Sequence, residues 1–580
     1  MSGDVPCDQR SAGAVKGAAV VDRFWTKSYP AGVPAEVDHS VYPSIVALFE
    51  ESFARFRDAD AYYCMGRRLT FGELDRLSAS LGAWLQGLGL ERGDRVAVML
   101  PNVLQSPVAV AAVLRAGFVV VNVNPLYTPR ELEHQLRDSG AKAIIVLENF
   151  AAVLQQALPA SAVRQVVVTR LGDLLGAIRG TLVNFAVRHV RRMVPPYSIP
   201  GAAGFRDAIR AGSAMRLARP ELGPGDPAVL QYTGGTTGVS KGATLLHKTI
   251  IANLLASEAW LQPGLKRAPV SGQLIFICAL PLYHVYAFIS CSLLGLRVGG
   301  LNVLIPNPRD IKAMLRVLSR FRFHVLPAVN TLFNALLNSP GFHKLDFAEF
   351  LLSNGGSMAV QESVAQRWLA ATGRPICEGY GLSETSSGVI CNPTDTDAFS
   401  GTIGLPLPNV DVRILDDSGC DVRPGEPGEI AIRGPQVMAG YWQRPEETAQ
   451  AMTPDGYLLT GDIGTMDERG YVRILDRKKD MIVVSGFKVY PTEVEAVASR
   501  HPGVFECAAV GVRDQASGEA VKLFVVRRDP ALQAEDLLEH CSAQLARYKR
   551  PKAVEFRNDL PKSNVGKILR RELRDAAHCC

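Results

Sequence analysis

The sequence predicts an α/β fold, with a large N-terminal domain of layered, mostly parallel sheets, a β-rich subdomain and a small α+β C-terminal domain. Up to about residue 400, apolar strand-like runs alternate with helical patterns, which is typical of parallel sheets covered by helices. After that point, short runs and tight turns indicate antiparallel strands, as in "DVRILDDSGCDVRPGEPGEIAIRG" from 411. A third change follows "DRKKD" at 476–480, after which the pattern predicts strand, helix, strand, helix, strand.

The predicted strands of the large domain are short apolar runs rich in β-branched residues. They are "RVAVML" at 95, "AGFVVVNVN" at 116, "AKAIIVL" at 141, "RQVVVTR" at 164, "LIFICAL" at 274 and "FRFHVLPA" at 321. The boundary with the small domain is predicted near Asp476 to Asp480, where the pattern changes.

Composition indicates a soluble globular enzyme rather than a nucleic-acid-binding protein. Of 580 residues, 47% are hydrophobic and 21% are charged, and the net charge of +6 is not gathered in basic blocks. The 11 cysteines are scattered without zinc-ligand spacing or disulfide density, which fits a reducing cytosol. The start of the chain has early acidic residues and no sustained apolar run, so no secretory signal is predicted.

One segment resembles a membrane span in length and composition. Residues 268–296 contain no Asp, Glu, Lys or Arg, and a helix of this length could cross a bilayer. Pro281 and His284 interrupt the segment midway. We therefore predict a strand, a turn and a buried helix there.

The stretch "LQYTGGTTGVSKGATL" at 230–245 concentrates glycine and threonine around Lys241. Glycine leaves backbone N–H groups accessible, threonine adds hydroxyl donors and lysine supplies a positive charge, a combination suited to a phosphate chain. The Walker ending G-K-[ST] is absent, because Ser240 precedes the lysine and Gly242 follows it. Taken alone, the stretch fits a flexible turn between two strands equally well.

Three later motifs each offer a polar side chain that a nucleotide could use. "CEGYGLSETS" at 377–386 offers a ring for base stacking at Tyr380, a hydroxyl at Ser383 and a carboxylate suited to Mg²⁺ at Glu384. "LLTGDIG" at 458–464 offers Asp462 to a ribose diol, and "LPKSNVGKILRREL" at 560–573 places Lys567 behind a glycine. Each alone also fits a solvated loop acid, a turn residue or a surface lysine.

The order of these motifs resembles the adenylate-forming (AMP-binding) superfamily, which includes acyl-CoA synthetases, luciferases and peptide-synthetase adenylation domains. The motifs are "YTGGTTGVSKG", "NGGSM", "EGYGLSE", "TGD", "DRKKD", "SGFKVYPTEVE" and "PKSNVGK". More closely, "LPLYHVYA", "NTLFNALLN" and "GPQVMAGYWQRPEET" resemble the bacterial long-chain fatty-acyl-CoA synthetases. Two departures, Gly234 where most members have serine and Val239-Ser240 before the lysine, leave the cation and most donors in place.

The resemblance implies three segments and a two-step reaction. Residues 1–40 are expected as an N-terminal extension, residues 41–476 as the large domain with its β-rich subdomain from about 400, and residues 477–580 as a small mobile domain. A fatty carboxylate would attack the α-phosphate of ATP to give an acyl-adenylate and pyrophosphate, and CoA would then displace AMP. The expected cofactors and substrates are ATP, Mg²⁺, CoA and a medium-to-long-chain fatty acid.

The resemblance also assigns roles to single residues. Lys241 and the loop before it would hold the β- and γ-phosphates, Glu384 would bind Mg²⁺, and Lys567 would reach the α-phosphate and the attacking carboxylate. His284 and Tyr283 would border the acyl carboxylate, although a buried core histidine is the alternative for His284. The predicted catalytic residues are Thr236, His284, Glu384 and Lys567.

The nucleotide would contact residues from several motifs. Those expected at the adenine are Gly355, Gly356 and Tyr380, and those expected at the ribose are Asp462 and Arg477. The full predicted nucleotide- and CoA-binding set is Tyr232, Thr233, Gly234, Gly235, Thr236, Thr237, Gly238, Lys241, Gly355, Gly356, Ser357, Glu378, Gly379, Tyr380, Gly381, Ser383, Glu384, Asp462, Arg477, Lys479 and Gly486.

Two half-reactions at one site imply motion of the small domain. In the superfamily this domain swings about one hinge residue, which matches Lys479 in this sequence. The swing would bring the turn at Gly486 beside the pantetheine path of CoA. An exposed hinge between two domains can absorb such a change.

Other functions would share part of this pattern. An aryl-CoA ligase or a luciferase-like enzyme would share every nucleotide motif. A peptide-synthetase ligase would normally need a carrier protein, and none is expected after Lys567. A non-catalytic nucleotide-binding protein would tolerate loss of Lys567 or Glu384, and both are present.

Residues 174–206 predict a contact with an anionic membrane. The run has no acidic residue and combines basic with apolar positions, which are Arg179, Leu182, Phe185, Arg188, Val190, Arg191, Arg192 and Met193. Such a helix, stopped by Pro195, is typical of an interfacial segment rather than a spanning one. The alternative is a basic surface helix packed on the protein's own core. We expect a cytoplasmic protein in peripheral contact with the inner face of the cytoplasmic membrane, and the sequence leaves a homodimer open.

Overall fold

The computed structural model describes residues 23–233, 240–563 and 567–578. The predicted loop residues Gly234, Gly235, Thr236, Thr237 and Gly238 lie outside these ranges.

The strands are numbered in chain order. They are β1 (Asp60–Cys64), β2 (Arg67–Thr70), β3 (Arg95–Met99), β4 (Val119–Asn122), β5 (Ala143–Leu147), β6 (Gln165–Thr169), β7 (Ala203–Gly204), β8 (Pro227–Thr233), β9 (Lys241–Leu246), β10 (Ile275–Cys278), β11 (Leu301–Leu304), β12 (Val325–Ala328), β13 (Leu352–Gly355), β14 (Ile376–Leu382), β15 (Ser387–Cys391), β16 (Leu405–Pro406), β17 (Asp411–Leu415), β18 (Gly428–Arg433), β19 (Leu458–Met466), β20 (Val472–Arg477), β21 (Ile482–Val484), β22 (Phe487–Val489), β23 (Val504–Asp514), β24 (Gly518–Arg527) and β25 (Ala553–Arg557).

The α-helices are numbered in the same way. They are α1 (Ile45–Arg55), α2 (Phe71–Gln86), α3 (Gln105–Arg115), α4 (Pro129–Ser139), α5 (Ala151–Ala157), α6 (Ala177–Phe185), α7 (Phe205–Gly212), α8 (His247–Leu265), α9 (Val285–Ala287), α10 (Leu294–Arg297), α11 (Ile311–Leu318), α12 (Asn330–Leu337), α13 (Glu362–Thr372), α14 (Pro445–Gln450), α15 (Pro491–Ala498), α16 (Ala534–Gln544) and α17 (Arg570–His578).

Two mostly parallel sheets form the large domain, which confirms the predicted fold class. One sheet has the order β7-β6-β5-β3-β4-β8-β9 and is parallel except between β8 and β9. The other has the order β16-β15-β14-β13-β12-β10-β11-β1-β2 and is parallel from β14 to β1. The apolar runs predicted as strands contain β3, β4, β5, β6, β10 and β12.

The two sheets share one apolar core. Every residue of α3 is buried, and its Val108 belongs to the same cluster as Val96 of one sheet and Phe276 of the other. Burial of apolar surface on both sides fixes the sheets against each other. Open parallel sheets bind ligands at the carboxyl ends of their strands. Three strands end at predicted site motifs, namely β8 at Thr233, β13 at Gly355 and β14 at Leu382.

The β-rich subdomain is antiparallel, as predicted, with the order β17-β18-β19-β20. Residues 23–28 pack on this subdomain, because Trp25 is buried in one cluster with Val412 and Ile430. Gly470 has φ +90°, and a Cβ there would lie 2.1 Å from the Cβ of Trp25. Only glycine fits this close approach, so residues 23–28 pack at a specific position on the subdomain.

The small domain has the sheet order β22-β21-β24-β23, with β25 beside β24. The predicted order of strand, helix, strand, helix, strand is incomplete. The domain begins with the hairpin β21–β22 before α15, β23 and β24 form a second hairpin, and α17 follows β25. Short turns at Gly486 (φ +83°) and Gly518 (φ +80°) reverse the chain within runs that read as single strands.

The apolar segment at 268–296 forms β10 and then a bent helix made of α9, a π-helical stretch at Phe288–Leu293, and α10. Most of its apolar side chains are buried, which confirms the predicted strand, turn and buried helix. In the part of the chain that the structure describes, we find no helix that is both long and apolar enough to cross a membrane.

Candidate active site

A cavity of about 2030 Å³ lies where the ends of β8 and β14, the β-rich subdomain and the small domain meet. Its wall contains most of the predicted site residues that the structure describes. They are Tyr232, Thr233, Lys241, His284, Gly356, Ser357, Gly379, Tyr380, Gly381, Ser383, Glu384, Arg477, Lys479 and Lys567. The fold thus brings residues from six parts of the chain to one space.

Glu384 lies in the turn after β14 and faces the cavity. The backbone N–H of Met438 donates to its carbonyl oxygen at 2.7 Å, and the Tyr441 hydroxyl donates to its Oε1 at 2.8 Å. Burial raises the pKa of the Glu384 carboxyl, although the hydrogen bond from Tyr441 opposes this. A half-buried carboxylate with so few donors is stabilised by a nearby cation.

The surroundings of Glu384 suit Mg²⁺ held by one carboxylate together with phosphate and water oxygens, and not a metal ion held by protein ligands alone. Mg²⁺ takes oxygen ligands and usually keeps waters and phosphate oxygens around one or two carboxylates. Glu384 presents such a carboxylate to the cavity. Among residues 23–233, 240–563 and 567–578, no group of three or more His, Cys, Asp or Glu side chains could hold a metal ion without further ligands.

Tyr441 connects two predicted groups that are far apart in the sequence. Its hydroxyl holds Glu384, and the Lys241 ammonium lies 5.1 Å from the centre of its ring, within cation–π range. Tyr441 also lines the cavity. Sequence reasoning missed it, although it lies in the matched segment "GPQVMAGYWQRPEET", because that segment offers no phosphate- or metal-binding pattern of its own.

Asp462 lies behind the cavity wall, where Tyr380 and Arg477 hold its carboxylate. The Tyr380 hydroxyl donates to Oδ2 at 2.6 Å, and Arg477 Nε lies 3.2 Å from Oδ1. Burial and the neighbouring Asp462 raise the pKa of the Tyr380 hydroxyl well above its usual value. The carboxylate therefore fixes the positions of a ring and a guanidinium that do line the cavity.

Lys567 is one of the small-domain residues that line the cavity. Its backbone pairs with Ser563, since the Ser563 N–H donates to the Lys567 carbonyl at 2.7 Å and the Lys567 N–H donates to the Ser563 hydroxyl at 3.1 Å. Burial, with Arg477 nearby, lowers the pKa of the Lys567 ammonium to about 8, so it stays charged at neutral pH. Burial and the charge of Lys567 lower the pKa of His284 to about 4. The lysine thus faces a neutral imidazole.

Besides Asp462, three predicted binding residues do not reach the cavity wall. The buried Glu378 carboxyl accepts from the Val360 N–H at 2.8 Å, and burial raises its pKa to about 7. A Cβ on Gly355 would lie 2.8 Å from Ile376 and from Val360, so this glycine serves packing. Gly486 forms the exposed turn between β21 and β22.

Helix α4 supports both ends of the threonine–glycine loop. The ring Nε2 of His134 lies 3.1 Å from the Ser240 carbonyl, and the Tyr232 hydroxyl donates to Asp138 at 2.7 Å. Arg444 binds the other oxygen of Asp138 at 2.7 Å. Sequence reasoning missed these residues, because His134 and Ser240 are 106 positions apart and no local motif links them.

The cavity wall also contains apolar side chains. Trp260 and Leu261 of α8, Leu294 of α10 and Leu352 of β13 lie on this wall. The Trp260 indole N–H donates to the Asn392 carbonyl at 3.0 Å, which holds the ring in place. A cavity with both charged and apolar lining suits a substrate with a hydrocarbon part and an acidic head.

Comparison with known proteins gives the class first. The sequence pattern of the AMP-binding enzyme family matches residues 49–442, and that of the AMP-binding enzyme C-terminal domain matches residues 493–567. The chain belongs to the AMP-binding enzyme family.

Within this family, two relatives are similar over nearly their whole length. The long-chain-fatty-acid–CoA ligases of Escherichia coli O157:H7 and of Yersinia pestis are each 53% identical over 556 residues, which cover 96% of this chain and 98% of the relative. The crystal structure of the anthranilate CoA ligase AuaEII in complex with anthranoyl-AMP is similar at a TM-score of 0.81 and 26% identity, covering 93% of this chain and 99% of that one.

Proposed function

We propose that this chain is a long-chain-fatty-acid–CoA ligase, which uses ATP to join a fatty acid to CoA and releases AMP and pyrophosphate. The observation that carries the proposal is a single cavity lined by both charged and apolar side chains. Lys241, Glu384 and Lys567 are among the charged ones, and Trp260 and Leu294 are among the apolar ones. The names of the similar relatives support the same conclusion.

In the first step, the fatty carboxylate forms a bond to the α-phosphorus of ATP, and the bond to pyrophosphate breaks. Lys567 would stabilise the charge that grows on the attacking and phosphoryl oxygens. Lys241 and Thr233 would bind the departing phosphates, and His284 would border the carboxylate. Bound at Glu384, Mg²⁺ would neutralise phosphate charge and polarise the phosphoryl group.

In the second step, the CoA sulfur forms a bond to the acyl carbon, the bond to AMP breaks and the thiol proton is released. In this structure Lys567 lines the cavity, while Gly486 is at the surface. We propose that the small domain, residues 477–580, turns about Lys479 between the steps. This turn would withdraw Lys567 and bring the Gly486 turn towards the thiol.

The acid is proposed to be a fatty acid of medium-to-long chain. Each buried methylene contributes about 0.8 kcal/mol, so an apolar wall favours long chains but separates neighbouring lengths weakly. Formation of acyl-CoA from fatty acid, ATP and CoA tests the proposal. Product with benzoate or coumarate, but none with fatty acids, would instead favour an aryl-CoA ligase.

We also propose that α6 and the chain after it dock on an anionic membrane. The apolar side chains of this segment are mostly exposed, at 81% for Ile178, 64% for Leu182, 59% for Phe185, 67% for Val190 and 57% for Met193. The alternative of a helix packed on its own core applies to another face of α6, where Gly180 is buried and Val183 contacts the apolar core. The helix ends in a π-helical stretch at Ala186–Val190, which is anchored by the buried Val187.

The positive charge of this surface is carried by fewer arginines than the sequence indicates. Arg179 donates to the Met65 carbonyl at 3.0 Å, and Arg188 pairs with Glu148 at 3.0 Å, so both serve the protein's own packing. Arg191 and Arg192 are exposed beside the apolar side chains. An interfacial helix combines such an apolar face with basic residues that attract anionic lipid.

Replacing Arg191 and Arg192 with glutamine is therefore expected to weaken binding to anionic vesicles at low salt. Each basic residue near anionic lipid is worth about 1 kcal/mol, so the loss of two should lower the partition coefficient by about 30-fold. Co-sedimentation with anionic and neutral vesicles at low and high salt measures the effect.

The matched control replaces the exposed Arg423 and Arg513 with glutamine, which removes equal charge elsewhere. Equal sedimentation of all three proteins with anionic vesicles at low salt would contradict membrane docking. If the wild type is a dimer and the Arg191/Arg192 variant is a monomer, while both bind vesicles equally, the face would instead belong to an interface with a second copy of the chain.

A further inference from the structure

A buried carboxylate, Asp476, joins the two domains at the segment that contains Lys479. Its side chain is 1% exposed. Oδ1 accepts from the Arg477 N–H at 2.8 Å and from Arg570 Nη1 at 3.2 Å, and Oδ2 accepts from the Thr492 N–H at 2.7 Å. Arg570 and Thr492 belong to the small domain, whereas Asp476 is part of β20 in the β-rich subdomain.

The contact with Thr492 completes the start of a helix. Thr492 is the second residue of α15, and the residue before the helix, Tyr490, supplies no side-chain cap. The helix that begins in "YPTEVE" therefore has no side-chain cap from its own N-cap residue, and Asp476 from the other domain accepts the free N–H instead. A carboxylate at a helix N-terminus satisfies an orphan N–H and interacts favourably with the helix dipole.

The contact with Arg570 links the carboxylate to the Lys567 segment. Arg570 begins α17, three residues after Lys567. Its guanidinium is also held by Glu495 of α15, at 2.7 and 3.0 Å. Arg570, Glu495 and Thr492 thus form one unit of the small domain, and Asp476 binds this unit from outside.

Asp476 stays with the large domain because its backbone lies in a sheet. It pairs with Ile463 of β19 in the antiparallel β-rich subdomain. A turn of the small domain about Lys479 would carry Arg570 and Thr492 away together. The Arg570–Glu495 pair would survive this turn, whereas Asp476 would lose two donors at once. A buried carboxylate without its donors is costly.

We propose that Asp476 is a positioning residue that holds the small domain in the arrangement with Lys567 in the cavity, and that its contacts with Arg570 and Thr492 break before the thioester step. This inference rests on the proposed two-step function. It makes the balance between the two half-reactions depend on a side chain that touches no substrate.

The test compares Asp476→Asn with the wild type in the separate half-reactions. The amide keeps the shape of the side chain but has one acceptor oxygen and no charge. It therefore cannot accept from both Arg570 and the Thr492 N–H. Fatty-acid-dependent exchange of pyrophosphate into ATP should fall by about tenfold or more. Thioester formation from supplied acyl-adenylate and CoA should stay equal or rise. Asp476→Glu, which keeps the charge, should restore part of the exchange rate.

A second readout needs no substrate. Trypsin can cut after Arg477, Lys478 and Lys479 when the junction opens, so the Asn variant should be cut there faster than the wild type. The matched control is Glu555→Gln, which removes a carboxylate from the Lys522–Glu555 pair (2.8 Å) inside the small domain. It should leave both the ratio of the half-reactions and the cleavage rate at the junction unchanged.

Equal losses in both half-reactions of Asp476→Asn, or no change in either, would overturn the inference. If the wild type itself forms no fatty acyl-adenylate, the proposed function fails instead. In that case the cleavage comparison still decides whether Asp476 holds the junction closed, and equal cleavage of the Asn variant and the wild type would overturn it.

Discussion

Replacing Lys567 with alanine is expected to remove acyl-adenylate formation while leaving the conversion of supplied acyl-adenylate and CoA to thioester intact. The Lys567 ammonium lies buried in the cavity, opposite His284 and beside Arg477. A preorganised charge in such a site is worth about 10²- to 10³-fold in rate. The charge is needed while the phosphoryl group is transferred, and not when the thiol attacks. Separate assays of pyrophosphate exchange and of thioester formation measure the two effects.

The matched control for this prediction is Lys552→Ala, which removes an exposed lysine of the same domain. Both half-reactions of the control should proceed at the rate of the wild type. Equal loss of both half-reactions in a folded Lys567→Ala protein would contradict the proposed turn of the small domain. It would mean that the lysine stays at the reaction centre throughout.

Glu384→Gln is expected to keep the shape of the site and to lower adenylation by on the order of 3 kcal/mol, as for the loss of one preorganised electrostatic group. The amide can still accept from the Tyr441 hydroxyl, which now donates to Glu384 Oε1 at 2.8 Å. It lacks the negative charge that attracts Mg²⁺. The rate of pyrophosphate exchange, measured over a range of Mg²⁺ concentrations, should fall and should need more metal for half-saturation.

The exposed Glu446 provides a matched control, because Glu446→Gln makes the same chemical change on a surface helix of the large domain. Ordinary turnover and ordinary Mg²⁺ dependence in Glu384→Gln would exclude this residue as the metal ligand. A lower rate with unchanged Mg²⁺ dependence would assign it to positioning of Tyr441 and Lys241 alone.

Much of the fold could be predicted, because its signals are local. The buried strands β3, β5 and β12 are apolar runs that need no partner to be recognised. The same holds for the short strands and tight turns after residue 400, which indicate an antiparallel sheet. The strand order of the small domain is harder to predict, because the glycine turns at 486 and 518 divide hairpins whose sequences resemble single strands. Lys241, Glu384 and Lys567 could be placed in one site because each sits in a continuous motif.

Other parts of the site depend on contacts between distant segments. Tyr441 and Glu384 are 57 positions apart, and Tyr232 and Asp138 are 94 apart. Asp476 reads as the first residue of a basic hinge motif, and its role at the start of α15 appears only when the two domains pack together. A sequence pattern carries no signal for such pairs until the fold brings them together.

The segment at 174–206, which we propose docks on a membrane, shows both what the sequence can indicate and what it cannot. Its apolar and basic residues could be read from the sequence, and the structure leaves the apolar ones exposed. The share of its arginines that serve the protein itself could not be read. Arg188 finds Glu148, 40 positions earlier, only in the folded chain.

Formation of acyl-CoA by the purified wild type, with fatty acids of increasing chain length beside benzoate and coumarate, tests the central claim most directly. Each reaction contains ATP, Mg²⁺ and CoA, and both the thioester and pyrophosphate are measured. We expect equal amounts of the two products with medium- and long-chain fatty acids, and none when ATP or CoA is left out. Thioester from aryl acids alone, or no thioester from any acid while ATP still binds, would contradict the account.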